Sequence, residues 1–115
     1  MRRFALLSAA LAALGASPAG AVGTLNDYPT EARVEYVFGC MAVNGQTPDA
    51  LRRCSCSVDV IAEILPYDDY VAAETVLGMR LAAGERATLF RGTPAATHLA
   101  APLRRAQAEA EIVCF

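Results

Sequence analysis

The chain has 115 residues, and its 10 arginines against 12 carboxylates give a formal net charge of −2. This balance lacks the clustered positive charge with which proteins neutralise a phosphate backbone, so a nucleic acid is not the expected partner. The length suits one domain, and an apolar fraction of 55% argues against intrinsic disorder.

The first 21 residues have the pattern of a cleavable signal peptide. Arg2 and Arg3 precede an apolar run over Phe4–Leu14, and Ala19-Gly20-Ala21 supplies the small residues that signal peptidase accepts. The apolar run is shorter than the roughly 20 residues that span a bilayer. We therefore expect a signal peptide over 1–21, a single domain over 22–115 in the periplasm, and no membrane attachment after cleavage.

Two helices are predicted in the first half of the mature chain. The first begins near Thr30, carries an apolar stripe and ends at Asn44-Gly45, where the chain can adopt a left-handed conformation. Thr47-Pro48 then starts a second helix with a hydroxyl cap and a proline in the first turn. This helix should run to about Leu65 and bury two faces. The stripe of the first helix comprises Val34, Val37, Phe38 and Met41; the two faces of the second comprise Leu51, Cys54, Val58, Ile61 and Leu65, and Cys56, Val60 and Ile64.

Two further helices complete the predicted fold. Asp68 or Asp69 is the expected cap of a third helix, whose body runs from Tyr70 to about Leu81 and which Gly84 closes. The pattern over residues 84–92 is weak, and Leu89 and Phe90 are expected to fix a loop or a short helical turn to the core. Thr93-Pro94 repeats the hydroxyl-then-proline start. The buried stripe predicted for the last helix comprises Ala96, Leu99, Leu103, Ala106, Ala110 and Val113. The sequence thus predicts an all-α fold, a small four-helix domain with short links.

Four cysteines, Cys40, Cys54, Cys56 and Cys114, lie in the mature region, and an exported chain of this size favours two disulfides. Cys54 and Cys56 point in opposite directions on a helix, so a bond between them is unfavourable. A hairpin of the first two helices brings Cys40 and Cys54 to similar heights, which favours Cys40–Cys54 with Cys56–Cys114. Cys40–Cys56 with Cys54–Cys114 differs by two residues of register and stays open.

Other readings of the polar residues involve chemistry. Cys54 and Cys56 could exchange thiols or carry Cu(I), with Met41 or Met79 as a further ligand and with Arg52 and Arg53 supplying positive charge. His98, the single histidine, is expected at the surface. Asp68 and Asp69, with Glu63 and Glu74, could bind a hard cation, but the spacing of an EF-hand loop is absent from the sequence. No catalytic residue and no cofactor are therefore predicted.

The corner after the second helix offers a candidate for partner binding. Tyr67, Asp68, Asp69 and Tyr70 combine aromatic surface with charge, although tyrosines between helices more often pack than bind.

Several segments of the mature chain combine the cysteine pattern with the corner of tyrosines and acids. They are Tyr36-Val37-Phe38-Gly39-Cys40-Met41, Asn44-Gly45, Cys54-Ser55-Cys56, Asp59, Ile61-Ala62, Tyr67-Asp68-Asp69-Tyr70-Val71 and Ala73-Glu74-Thr75-Val76. With these segments the chain resembles a family of small exported bacterial proteins of unassigned activity. The resemblance implies an accessory role beside quinoprotein alcohol oxidation systems, with no catalytic residue to carry over. We therefore expect a non-enzymatic protein that binds a periplasmic protein partner, and the alternative is a thiol-exchange or Cu(I)-handling protein.

Overall fold

Five helices make up the part of the chain that the computed structural model describes, which comprises residues 26–82 and 84–115. They are α1 (Thr30–Asn44), α2 (Pro48–Ile64), α3 (Tyr67–Leu81), α4 (Glu85–Gly92) and α5 (Pro94–Cys114), and no strand occurs among these residues. The predicted all-α class is confirmed, and the described residues form one helix more than the four predicted. The predicted signal peptide over 1–21 lies outside the described residues.

The predicted starts of α2 and α5, each marked by a threonine followed by proline, are confirmed. The Thr47 hydroxyl accepts a hydrogen bond from the Ala50 backbone N–H at 3.0 Å, and Thr93 caps α5 through the Ala96 N–H at 3.3 Å. Each hydroxyl satisfies a backbone donor that has no partner within the first turn. Gly45 follows α1 with φ 105°, a conformation that glycine adopts without steric cost.

The start of α3 differs from the prediction, whereas its end at Leu81 is as predicted. Pro66 occupies the capping position, and Asp68 and Asp69 lie in the first turn without capping it. The Tyr67 N–H instead donates to the Asp27 carboxylate at 3.0 Å, so the cap comes from 40 residues upstream. At the other end the helix stops at Leu81, and Gly84, with φ 101°, precedes α4 rather than closing α3.

The segment predicted as a loop or a short helical turn forms α4, and hydrogen bonds from arginine side chains to backbone carbonyls fix it to α3. The Arg80 guanidinium donates to the Phe90 carbonyl, and Arg91 donates back to the Arg80 carbonyl at 3.1 Å. Ala87 is fully buried and Phe90 packs partly against the core, whereas Leu89 is 61% exposed. Of the two predicted contacts to the core, only that of Phe90 is therefore observed.

The core is organised around α5, which packs against α2, α3 and α4. Ile61 of α2 and Leu103 of α5 are fully buried, and alanines on α5 let the neighbouring helices approach closely. A second cluster joins Val76 of α3 to the first turns of α5. The predicted stripe of α5 was correct except at two positions: Leu99 and Val113 are exposed, and Ala100 is buried instead. Pro102 lies inside this helix, between the two clusters.

Helix α1 is attached differently, since it packs against α2 alone among the principal helix contacts. None of the residues described for α1 is buried. Its apolar stripe is present, but Val34 and Phe38 are 45% and 66% exposed, and Leu51 on the adjacent edge of α2 is 46% exposed. Ile64, on the second predicted face of α2, is also exposed, so that face is covered only in part. Within the described residues no helix is long and apolar enough to cross a membrane.

Candidate functional site

Both disulfides follow the pairing that the hairpin geometry favoured. Cys40 is bonded to Cys54 and Cys56 to Cys114, and the alternative register is thereby wrong. All four cysteines are paired, and Cys54 is fully buried. The first bond fastens α1 to α2, and the second fastens α2 to the end of α5. The opposite directions of Cys54 and Cys56 on α2 are the reason why each reaches a different helix.

The two arginines beside Cys54 share one carboxylate of the same helix. Arg53 donates to the Asp49 carboxylate at 2.8 Å and Arg52 to the same carboxylate at 3.4 Å. Arg53 also lies over the Phe115 ring, with 5.7 Å between the guanidinium carbon and the ring centroid. The contact between Arg53 and Phe115 joins α2 to the end of α5.

A cluster of three tyrosines forms the corner where α3 begins. Tyr28 contacts Tyr67 and Tyr70, with ring centroids separated by 5.2 and 4.9 Å. Its hydroxyl donates to the Leu65 carbonyl at 2.8 Å. Burial, followed by the charge of Asp27, raises the pKa of Tyr28 above its usual range. Tyr28 and Asp27 were missed from the sequence because they precede the first predicted helix and no local pattern marks them.

The predicted partner-binding residues of this corner therefore have unequal environments. Tyr70 is 7% exposed and Tyr67 is partly buried, while Asp68 and Asp69 are exposed. Most of the aromatic surface is used within the fold. Partner binding at Tyr67, Asp68, Asp69 and Tyr70 stays a prediction.

An open cleft of about 770 Å³ separates α1 from α3. Its sides carry Glu35 and Tyr36 from α1 and Tyr70 and Glu74 from α3, and its base includes Ser57, which is 3% exposed. Arg104, Gln107 and Glu111 of α5 also line it. The volume lies within the range of small-molecule sites.

Burial controls the protonation of the groups in this cleft. It raises the pKa of both the Tyr36 and the Tyr70 phenols, so both keep their protons at neutral pH. Partial burial, followed by the charge of Glu35, raises the pKa of the Glu74 carboxyl. The cleft thus combines neutral phenols with carboxylates that repel each other.

A second, smaller groove of about 360 Å³ lies on the other side of α1. Apolar side chains of α1 and α2 dominate its lining, and Arg33 is its one charged member. Arg33 donates to the Asp59 carboxylate at 3.0 Å at the edge of this groove. The apolar residues of this groove, called the α1–α2 groove below, are Val34, Val37, Phe38, Met41, Leu51 and Val58.

The remaining candidate residues do not converge. His98 is exposed on α5, as predicted. In the described parts of the chain, no three His, Cys, Asp or Glu side chains lie close enough together to hold a metal ion. Comparison with known proteins gave no matching family model, no matching curated protein and no matching solved structure.

Proposed function

We propose that the chain is a non-enzymatic accessory protein of the periplasm that binds another exported protein through the α1–α2 groove. The observation that carries this proposal is the exposure of one apolar edge shared by two helices, on which Val34, Phe38 and Leu51 keep between 45% and 66% of their surface accessible. Exposed apolar surface of this kind is costly in water and marks interaction sites when it is contiguous.

The occupant that fits this groove is an amphipathic helix of the partner. The groove lies between α1 and α2, and its lining residues recur at intervals of three and four along each helix. The apolar face of a third helix can pack into such a groove. The one charged lining residue, Arg33, is already paired with Asp59, so the groove presents little unpaired charge to a polar ligand.

An exported enzyme of alcohol oxidation is the partner we propose, because the sequence resemblance implies an accessory role beside such systems. The paired cysteines support a binding protein over a Cu(I) carrier, since Cys54 and Cys56 would both have to be reduced before they could bind Cu(I). Burial of Cys54 also hinders attack by an external thiol on its disulfide.

A photo-crosslinking amino acid tests the proposal when it replaces Phe38 in cells that produce the chain naturally. Leu89 provides the matched control, because it is similarly exposed, at 61%, but lies on α4. We expect an adduct with an exported dehydrogenase from position 38 and none from position 89, and Leu51→Glu should abolish it.

The outcomes separate the parts of the proposal. The same adduct from both positions, or no adduct from either, would contradict binding at this groove. An adduct only with a second copy of the chain would identify self-association and overturn the accessory role.

A further inference from the structure

The cleft between α1 and α3 is large enough for a ligand and is not used by the proposed partner interface. Its 770 Å³ lie on the opposite side of α1 from the α1–α2 groove, and its lining is mainly polar or aromatic. Because α1 packs on α2 and α3 packs on α5, the two helices face each other across this space without filling it.

The base of the cleft supplies hydroxyl groups and aromatic rings. Ser57 is buried beside Tyr36, and its hydroxyl opposes in part the rise in the pKa of that phenol. Tyr36 is partly exposed and neutral at physiological pH, so its ring and hydroxyl can contact a ligand without adding charge, whereas Tyr70 is buried in the core. Rings of this kind attract a cation placed over their faces.

The charges of the cleft specify the ligand. Three carboxylates, Glu35, Glu74 and Glu111, line it against one arginine, Arg104, which leaves a formal charge of 1 − 3 = −2. Within the described residues none of these four side chains forms a salt bridge. A bound cation would relieve the repulsion between Glu35 and Glu74.

The spacing of the carboxylates favours an extended cation over a metal ion, because the described carboxylates do not approach each other closely enough for three of them to share one metal ion. A planar or alkylated cation can reach separate carboxylates and lie against a ring at the same time. We propose that this cleft binds an organic cation, a guanidinium or alkylammonium group, between Glu35 and Glu74 and against the ring of Tyr36.

Calorimetric titration of the oxidised mature protein tests this site with two probes of the same shape. Nα-acetylarginine amide carries the cation, and Nα-acetylcitrulline amide replaces it with a neutral group. We expect the arginine probe to bind at least about tenfold more tightly than the citrulline probe, since the carboxylates recognise charge. Equal affinities would overturn the proposal.

Variants locate the binding site. Glu74→Gln should weaken binding of the arginine probe about fivefold or more, because it removes one neighbouring charge. Tyr36→Leu should also weaken binding of this probe, because it removes an aromatic ring. Glu109→Gln is the matched control, because Glu109 is exposed on α5 and does not line the cleft. Circular dichroism establishes that each variant folds, and unchanged affinity in folded Glu74→Gln would contradict the proposal.

Two additional probes distinguish the sources of the cation. Tighter binding of the monocation ethylguanidinium than of a hexapeptide with one arginine would identify a free small cation as the ligand, and the reverse order would identify the side chain of a peptide. Binding of neither would overturn the site. Leu51→Glu should leave all these affinities unchanged. The proposals for the cleft and for the α1–α2 groove can therefore be contradicted independently of each other.

Discussion

Helices α1 and α5 are both joined to α2 by a disulfide, yet they depend on that bond in different ways. α5 buries five residues and contacts three helices, whereas α1 has none of its described residues buried and has α2 as its one principal neighbour. The Cys56–Cys114 bond therefore supplements an extensive packed interface, and the Cys40–Cys54 bond fastens a helix that packs mainly on one side. A disulfide of this second kind allows a helix to keep apolar surface free for a partner.

Removal of each disulfide should give the largest effects on stability, and it should show whether the whole fold or a single helix is destabilised. The chain-entropy model assigns about 4 kcal/mol to a bond that closes 58 residues and about 3 kcal/mol to one that closes 14. We expect Cys56→Ala with Cys114→Ala to lower the free energy of unfolding more, as measured by denaturant titration. Cys40→Ala with Cys54→Ala should instead abolish hydrogen-exchange protection in α1 while α5 stays protected.

Equal loss of hydrogen-exchange protection in α1 and α5 after removal of the Cys40–Cys54 bond would contradict this difference between the two helices. It would mean that α1 is part of the cooperative core despite its exposure.

Two leucines test the same contrast through packing. Leu103 on α5 is fully buried, and Leu51 beside α1 is 46% exposed. Leu103→Ala should lower the free energy of unfolding by about 2–5 kcal/mol, because it leaves a cavity in the core. Leu51→Ala should lower it by less than about 1 kcal/mol. If thermal unfolding gave a similar decrease in stability for both variants, the edge of α2 next to α1 would already be part of the core.

Much of this contrast could not be predicted from the sequence. The starts of α2 and α5 were predictable because Thr47 and Thr93 cap backbone donors three residues away, which is a local interaction. The stripe on α1 was also correct, but periodicity identifies the apolar side of a helix and not whether another element covers it. That information depends on where the other helices pack.

Long-range contacts account for the other differences. The cap of α3 comes from Asp27 and the tyrosine corner is completed by Tyr28, and neither residue has a partner within its own segment of sequence that would indicate this role. α4 has a weak apolar pattern and is fixed by hydrogen bonds between arginines and distant carbonyls. The cleft likewise requires α1 and α3 to be placed side by side, which no motif encodes.

The smallest expected effect concerns the charge across the cleft. The folded state raises the pKa of Glu74 from 4.5, so ionisation of this group destabilises the fold at neutral pH. Glu74→Gln should therefore increase stability slightly at pH 7, and the gain should disappear below about pH 4, where the carboxyl is protonated in both states. Partial solvent access keeps the gain under about 1 kcal/mol.

Thermal unfolding of Glu74→Gln and Glu109→Gln at several pH values measures this difference. A gain that persists at low pH would assign the effect to packing instead of charge. The groups that face Glu74 from its own and neighbouring helices are Glu35, Tyr36, Tyr70, Arg104 and Glu111.

Pro102 divides α5 into two parts that belong to different clusters. Its nitrogen carries no proton, so the hydrogen bond that would reach the His98 carbonyl is missing from the ladder of this helix. Ala96 and Ala100 before it pack with Val76, whereas the residues after it pack around Ile61. The missing hydrogen bond thus lies where one cluster meets the next, and we expect the amide protons at the α4 end of the fold to exchange faster than those at the disulfide-bonded end.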